Sequence, residues 1–148
     1  MKEKEILEEL EIGIRSFKEA KERSMAKGMD TFDDLRILEA SFNRLFLSVE
    51  HVCNAMILLE TGNYSKKHFG DHKKLQDIQE KYSLQLVALY KDTYTFRSYG
   101  DYRKFPEMEE DFNREQLSKE VEVARTILQQ CIKIIQKNVQ NENIKKRL

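Results

Sequence analysis

Between Thr31 and Gly62 the chain repeats apolar residues at one spacing without a break: Leu35, Leu38, Phe42, Leu45, Phe46, Val49, Cys53 and Met56. Steps of three and four residues place all of them along one side of an α-helix. Thr31 stands as N-cap ahead of acidic residues in "TFDD", and Thr61-Gly62 stops the run. A helix of about thirty residues is about 45 Å long. A helix of that length with one long apolar face should be the central member of a bundle.

The rest of the chain supplies the partners. Ile6, Leu10, Ile14 and Phe17 mark one buried face of a first helix. Glu11 and Glu19 stand four residues before Arg15 and Arg23 on its outer face, and Gly28 follows as a stop. A connector, "GNYSKKHFGDHKK", leads to Asp71 as cap of a short third helix through Leu75 and Ile78. The chain bends or restarts at "EKYSL" and enters a fourth helix with Leu84, Val87, Ala88 and Tyr90 or Lys91 leading to Tyr94. After the loop "KFPEMEED", Asn113 and Gln116 form a capping box for a last helix. Its face is Leu117, Val121, Ala124, Ile127, Leu128, Cys131 and Ile135. The expected fold is all-α, an up-and-down bundle of four long helices plus a shorter one. One domain covers 1–141, and a basic, frayed tail covers 142–148.

Composition agrees and narrows the function classes. One proline, five glycines and 35% charged residues favour helices over strands. Basic and acidic residues number 26 each, so no global field draws the chain toward nucleic acid or membrane. The longest apolar run, "NAMILL", is far short of a membrane span, and "MKEKEILEELEIG" is no signal peptide. The expected location is cytoplasmic. Cys53 and Cys131 lie inside apolar helical patterns without a CxxC partner and read as buried, reduced thiols.

Chemistry has few places to sit. The only histidines are His51, His68 and His72. His68 and His72 are four apart, but Gly70 and the capping Asp71 interrupt that helix face, and no carboxylate-x-x-His pair recurs on two helices. Neither a metal nor a cofactor is expected. Cys53 and His51 are two apart and point to different helix faces, which disfavours a nucleophile–base pair. Two stretches fit anions. "SKKHFGDHKK" crowds four lysines and two histidines, a pattern that serves phosphate contact or plain solvation. "FRSYGDYRKF" (96–105) places Arg97 four residues before Asp101, among Tyr99 and Tyr102. Arg offers a planar fork to phosphate, and Tyr a ring and a hydroxyl. The plainer alternative is a helix end closed by Gly100 and stitched by an Arg97–Asp101 pair.

In order along the chain, several stretches resemble the HEPN domains, small helical bundles associated with nucleotides, and more narrowly their stand-alone prokaryotic branch. "FNRLFLSVEHVCNAMILL" echoes that branch's central helix, with Arg44 and His51 at matching places. "KKHFGD" echoes its Lys-x-His-Ser-Gly loop with Lys66 or Lys67 and His68. "RSYGDY" echoes its arginine followed by Ala-Asp-Tyr, matching Arg97, Asp101 and Tyr102, and "FNREQLSKEVEVARTIL" echoes its last helix.

The resemblance implies a HEPN-like bundle, a homodimer, and phosphates of nucleotide or RNA as ligand. It also implies a minimal nucleotidyltransferase as partner, with Tyr99 or Tyr102 as acceptors of adenylylation. Ligand contacts fall on Arg97, Asp101, Tyr102, Tyr99, His68, His51 and Arg44. Many members are metal-independent endoribonucleases whose motif arginine is followed by a histidine. Here no histidine follows Arg97, and Asp101 and Tyr102 hold its place. The expectation is therefore binding without cleavage. The alternative is an endoribonuclease toxin that uses Arg97, with Tyr102 or His68 replacing the missing base.

Overall fold

A computed structural model describes residues 2–25, 32–64, 72–102 and 114–139, with backbone only at 32–35 and 98–102. Within them lie five helices and no strand: α1 (Glu3–Ser24), α2 (Phe32–Thr61), α3 (His72–Tyr82), α4 (Leu86–Tyr102) and α5 (Arg114–Val139). The expected all-α bundle of four long helices and a shorter one is what forms. Gly28, Thr31, Asp71, Asn113, the loop after α4 and the tail 142–148 lie outside the described residues.

The periodic faces of α1, α2 and α5 are buried as their spacing requires: Ile6, Leu10, Ile14 and Phe17 on α1, Leu38 through Met56 on α2, and Leu117 through Ile135 on α5, with Ile127 only half-buried. On α2, Val52, Ala55, Ile57 and Leu58 are buried as well, so its second half is covered on more than one side. The central position expected for this helix follows.

Small residues govern how closely α1 and α2 pack. Ser41, Ser48 and Ala55 recur every seven residues on α2 and are fully buried, as are Gly13 and Ala20 on α1. The serine hydroxyls donate to their own helix, Ser41 to the Ile37 carbonyl at 2.6 Å and Ser48 to that of Leu45, so no buried polar atom is stranded there. A methyl group at Gly13 would stand 2.8 Å from Val52 Cγ2 and 3.2 Å from the Ser48 carbonyl oxygen. Backbone-to-backbone approach is thus closest where side chains are absent.

Cross-helix contacts fix directions. Glu19 pairs with Arg44 and Glu9 with His51, so α1 and α2 are antiparallel. Phe42 stacks on Phe96 while Phe46 meets Tyr94 and Tyr90, so α4 is antiparallel to α2. Arg114 Nε donates to the Ser24 carbonyl at 3.1 Å, tying the start of α5 to the end of α1. Tyr82 and Lys81 both donate to Glu60, while His72 lies against Tyr90 at the level of Glu50. The short α3 therefore runs alongside the end of α2 in the same direction.

Two helix ends show why the chain turns where it does. Gly62 takes a φ of 73°, and its N–H donates to the Leu58 carbonyl at 2.8 Å, a left-handed cap that glycine adopts without strain. Ser83 takes a φ of 55°, and the following Leu84 N–H donates to the Gln79 carbonyl at 3.1 Å. That is the six-to-one bond of a Schellman cap, with the left-handed position held by a non-glycine. It is the restart expected at "EKYSL".

Three expectations need correction. Among the described side chains of α4 the buried ones are Leu86, Leu89, Tyr90 and Thr93, whereas Val87 is half-buried, Ala88 and Lys91 are exposed, and Leu84 is buried ahead of the helix. Ending α3 at Ser83 resets the phase, and the dense apolar run "LQLVALY" could not reveal it. Glu19, placed in an intrahelical pair with Arg23, instead reaches Arg44 at 3.0 Å. Gly100 does not close α4; helical backbone continues through it to Tyr102.

Candidate functional site

Because α4 continues past Gly100, Arg97 and Asp101 are one turn apart on a single helix, the spacing at which the two could pair. The site is built outward from the face that α4 turns toward α2. Tyr90, Tyr94 and Arg97 recur at four and three residues, and α2 offers Phe42, Phe46 and Glu50 at successive turns. Phe46, fully buried, is the hub. Tyr90 meets its ring edge-on at 5.3 Å and Tyr94 at 5.6 Å, while the Arg97 guanidinium carbon stands over it at 5.1 Å. Such a cation–ring contact contributes about 0.5–2 kcal/mol, more as water is excluded. Phe42 and Phe96 stack at 5.1 Å and extend the aromatic layer by one turn. Arg97 is itself half-buried, and its Nε is enclosed.

Tyr90 carries the polar edge of this corner. Its hydroxyl donates to Glu50 Oε2 at 3.4 Å, a weak bond. Burial, then the Glu50 carboxylate, push the phenol far above its usual value, against the opposing pull of Arg97. It is a fixed neutral donor, unsuited to proton transfer near neutral pH. His72, exposed at the start of α3, lies edge-on to the same ring at 5.7 Å. Three helices thus meet at Tyr90, and one of them brings an imidazole.

The residues singled out in the sequence do not form one cluster. Residues 44 and 51 lie two turns apart on α2, on about the opposite side from Phe46. Arg44 Nε pairs with Glu19 at 3.0 Å, and His51 Nδ1 meets Glu9 Oε2 at 2.5 Å, both across the α1–α2 seam. Their polar atoms serve helix pairing there. The side chains of Tyr99, Asp101 and Tyr102 and all of His68 lie outside the described residues; the backbone places 99, 101 and 102 on the last turns of α4. Phe46, Glu50, Tyr90 and His72 were missed. Phe46 and Tyr90 carried a signal, the helical spacing itself, but that spacing reads equally as core.

Other chemistries find little support. Both cysteines are buried and free, and burial raises both thiols, Cys131 to about 12, so neither is a ready nucleophile. Among the described residues no group of three or more His, Cys, Asp or Glu could hold a metal ion. A hollow of about 320 Å³ on α1 is lined by Glu11, Ile14, Arg15, Lys18, Glu19 and Glu22, with charges of both signs and so no preference for an anion. No described helix is long and apolar enough to cross a membrane.

Compared with known proteins, the chain matches no family model, no curated protein and no solved structure.

Proposed function

We propose that this chain is a HEPN-like homodimeric module that holds the phosphates of nucleotides or RNA at Arg97, and docks a nucleotidyltransferase at the same corner, without cutting the strand. The observation that carries the reading is the placement of Arg97. Its guanidinium lies on an aromatic shelf of α2 and α4, on the same uninterrupted helix as Asp101 and Tyr102. A guanidinium so held loses little freedom when it takes an anion.

The absence of cleavage follows from proton bookkeeping. Breaking an RNA strand takes a proton from the attacking 2′-hydroxyl and gives one to the leaving oxygen, work suited to groups titrating near neutral pH. No histidine follows Arg97 in the chain, and a buried, acid-bonded Tyr90 does not exchange protons in that range. The endoribonuclease alternative is favoured by one observation, the imidazole of His72 beside Tyr90.

The two are separated with single-stranded RNA in the presence of a chelator. The proposal expects binding that Arg97→Ala weakens by about tenfold or more, with the strand intact. Cleavage lost in both Arg97→Ala and His72→Ala would replace it by the alternative.

A further inference from the structure

α5 carries a second periodic stripe beside the one it buries. Gln116, Glu120, Val123, Ile127, Gln130, Ile134 and Lys137 follow at alternating steps of four and three, the spacing by which one helix packs along another. The stripe is not filled within one chain. Val123 is 52% exposed, Gln130 and Lys137 are exposed, and Ile127 and Ile134 are half-buried. Arg114, which reaches Ser24 of α1, stands on about the opposite side of α5. α5 starts at the end of α1 and runs back along it, parallel to α2 and so antiparallel to α4. Asp92 of α4 acts on Glu120 of α5, so Leu86, where α4 begins, is level with about Thr126. α4 thus flanks only the first half of α5, and among the described residues α3 does not touch it. Glu120, near the head of the stripe, is poorly served. Burial, then the Asp92 carboxylate, push its carboxyl above its usual range, and the neutral Gln116 amide, donating at 3.0 Å, offsets only part of this. The far end of the stripe carries a cation, Lys137.

We infer that this stripe is the surface on which a second copy of the chain docks, two α5 helices packing antiparallel about a two-fold axis. The inference rests on the homodimer proposed above and on none of that proposal's phosphate contacts. With Ile127 and Gln130 facing each other at the axis, Val123 falls against Ile134 of the partner subunit and Glu120 against Lys137 of the partner subunit. The two-fold repeats each contact on the other side. One register therefore joins the apolar residues and the charges together, and brings a cation to the Asp92–Glu120 carboxylates. A parallel pairing would set Glu120 against Glu120 and Lys137 against Lys137, which like charges oppose. The antiparallel seam also matches the length of α4. The half of α5 that α4 leaves uncovered in one copy lies beside the half that α4 flanks in the other.

The test is the dimer dissociation constant of the full chain, from sedimentation equilibrium, with each variant first verified as folded by circular dichroism. Val123→Glu buries a charge in the seam and should weaken the dimer by about tenfold or more. Lys137→Glu sets acid against Glu120, and Glu120→Lys sets base against Lys137, so each alone should weaken it by about tenfold. Val123 and Lys137 are exposed, so their variants keep the fold even if Glu120→Lys does not. The double variant Glu120→Lys with Lys137→Glu restores opposite charges across the axis and should return to within about threefold of wild type. That reciprocal rescue is what a mere loss of fold could not produce. A dimer as tight in Val123→Glu and Lys137→Glu as in wild type overturns the inference and leaves the homodimer standing on another surface. So does a double variant weaker than both single ones. A wild type that stays at 17.6 kDa at every concentration reached overturns the inference and the homodimer together, and leaves the stripe to a different protein.

Discussion

Gly13 and Ser83 show how single residues set this bundle. At Gly13 the neighbours of an added methyl include backbone as well as side chain: the Ser48 carbonyl oxygen at 3.2 Å and the Val52 nitrogen at 3.3 Å, beside Val52 Cγ2 at 2.8 Å. A flexible side chain could swing away, whereas an α-helical backbone cannot. Gly13→Ala should therefore destabilise the fold by about 1–3 kcal/mol, despite alanine's better helix propensity. Chemical denaturation measures this, and an unchanged midpoint would show that the helices separate freely. Ser83 is the opposite case. Its side chain is exposed and its φ is 55°, a conformation that costs a non-glycine residue strain. Ser83→Gly should stabilise by about 0.5 kcal/mol, the relief of strain being partly offset by a more flexible unfolded chain.

Between helices, charge pairs do unequal work. The Arg44–Glu19 pair is 46% and 40% exposed, so Arg44→Ala should cost about 0.2–1 kcal/mol. The His51–Glu9 pair is 22% and 13% exposed, and losing the imidazole leaves a sheltered carboxylate short of a donor. His51→Ala should then cost more, about 1–3 kcal/mol, and thermal melts of the two variants side by side would give the order. At the α2–α3 contact, burial alone would raise the Glu60 carboxyl, but the bonds from Lys81 and Tyr82 outweigh it and hold it below its usual range. A carboxyl lowered in the folded state stabilises above its unfolded value and loses that contribution as pH falls through the folded one. Acid unfolding of Glu60→Gln should accordingly show a shallower loss of stability below about pH 4.5 than wild type.

These elements also mark what the sequence could tell. The faces of α1, α2 and α5 were legible because each buries a regular stripe. The face of α4 was not, because apolar residues at neighbouring positions fit more than one phase and the cap at Ser83 decides between them. Arg97 was legible as a motif. That Phe46 is its shelf was not, since a phenylalanine on a buried stripe reads only as core. Nor could Arg44 and His51 be assigned to the α1 seam, because Glu19 and Glu9 stand far from them in the chain. Helical spacing tells which residues face inward and not which helix they meet.

For the whole molecule, formal charge is balanced, with 26 basic and 26 acidic residues, so any affinity for RNA must come from local geometry. Phosphate binding centred on one arginine, as proposed, implies a shallow salt dependence, of about one or two phosphates. The proposed homodimer predicts a mass in solution twice that of the 17.6 kDa chain, which light scattering reads directly. The central claim, that phosphate is held at the α2–α4 corner and not at the α1–α2 seam, is tested most directly by parallel titrations. A fluorescent single-stranded RNA would be titrated, in chelator, with wild type, Arg97→Ala, Arg44→Ala and His51→Ala, each variant first verified as folded. The account predicts that Arg97→Ala alone loses binding, by about tenfold or more, while the two seam variants bind as wild type does. Binding lost in Arg44→Ala or His51→Ala and kept in Arg97→Ala would contradict it.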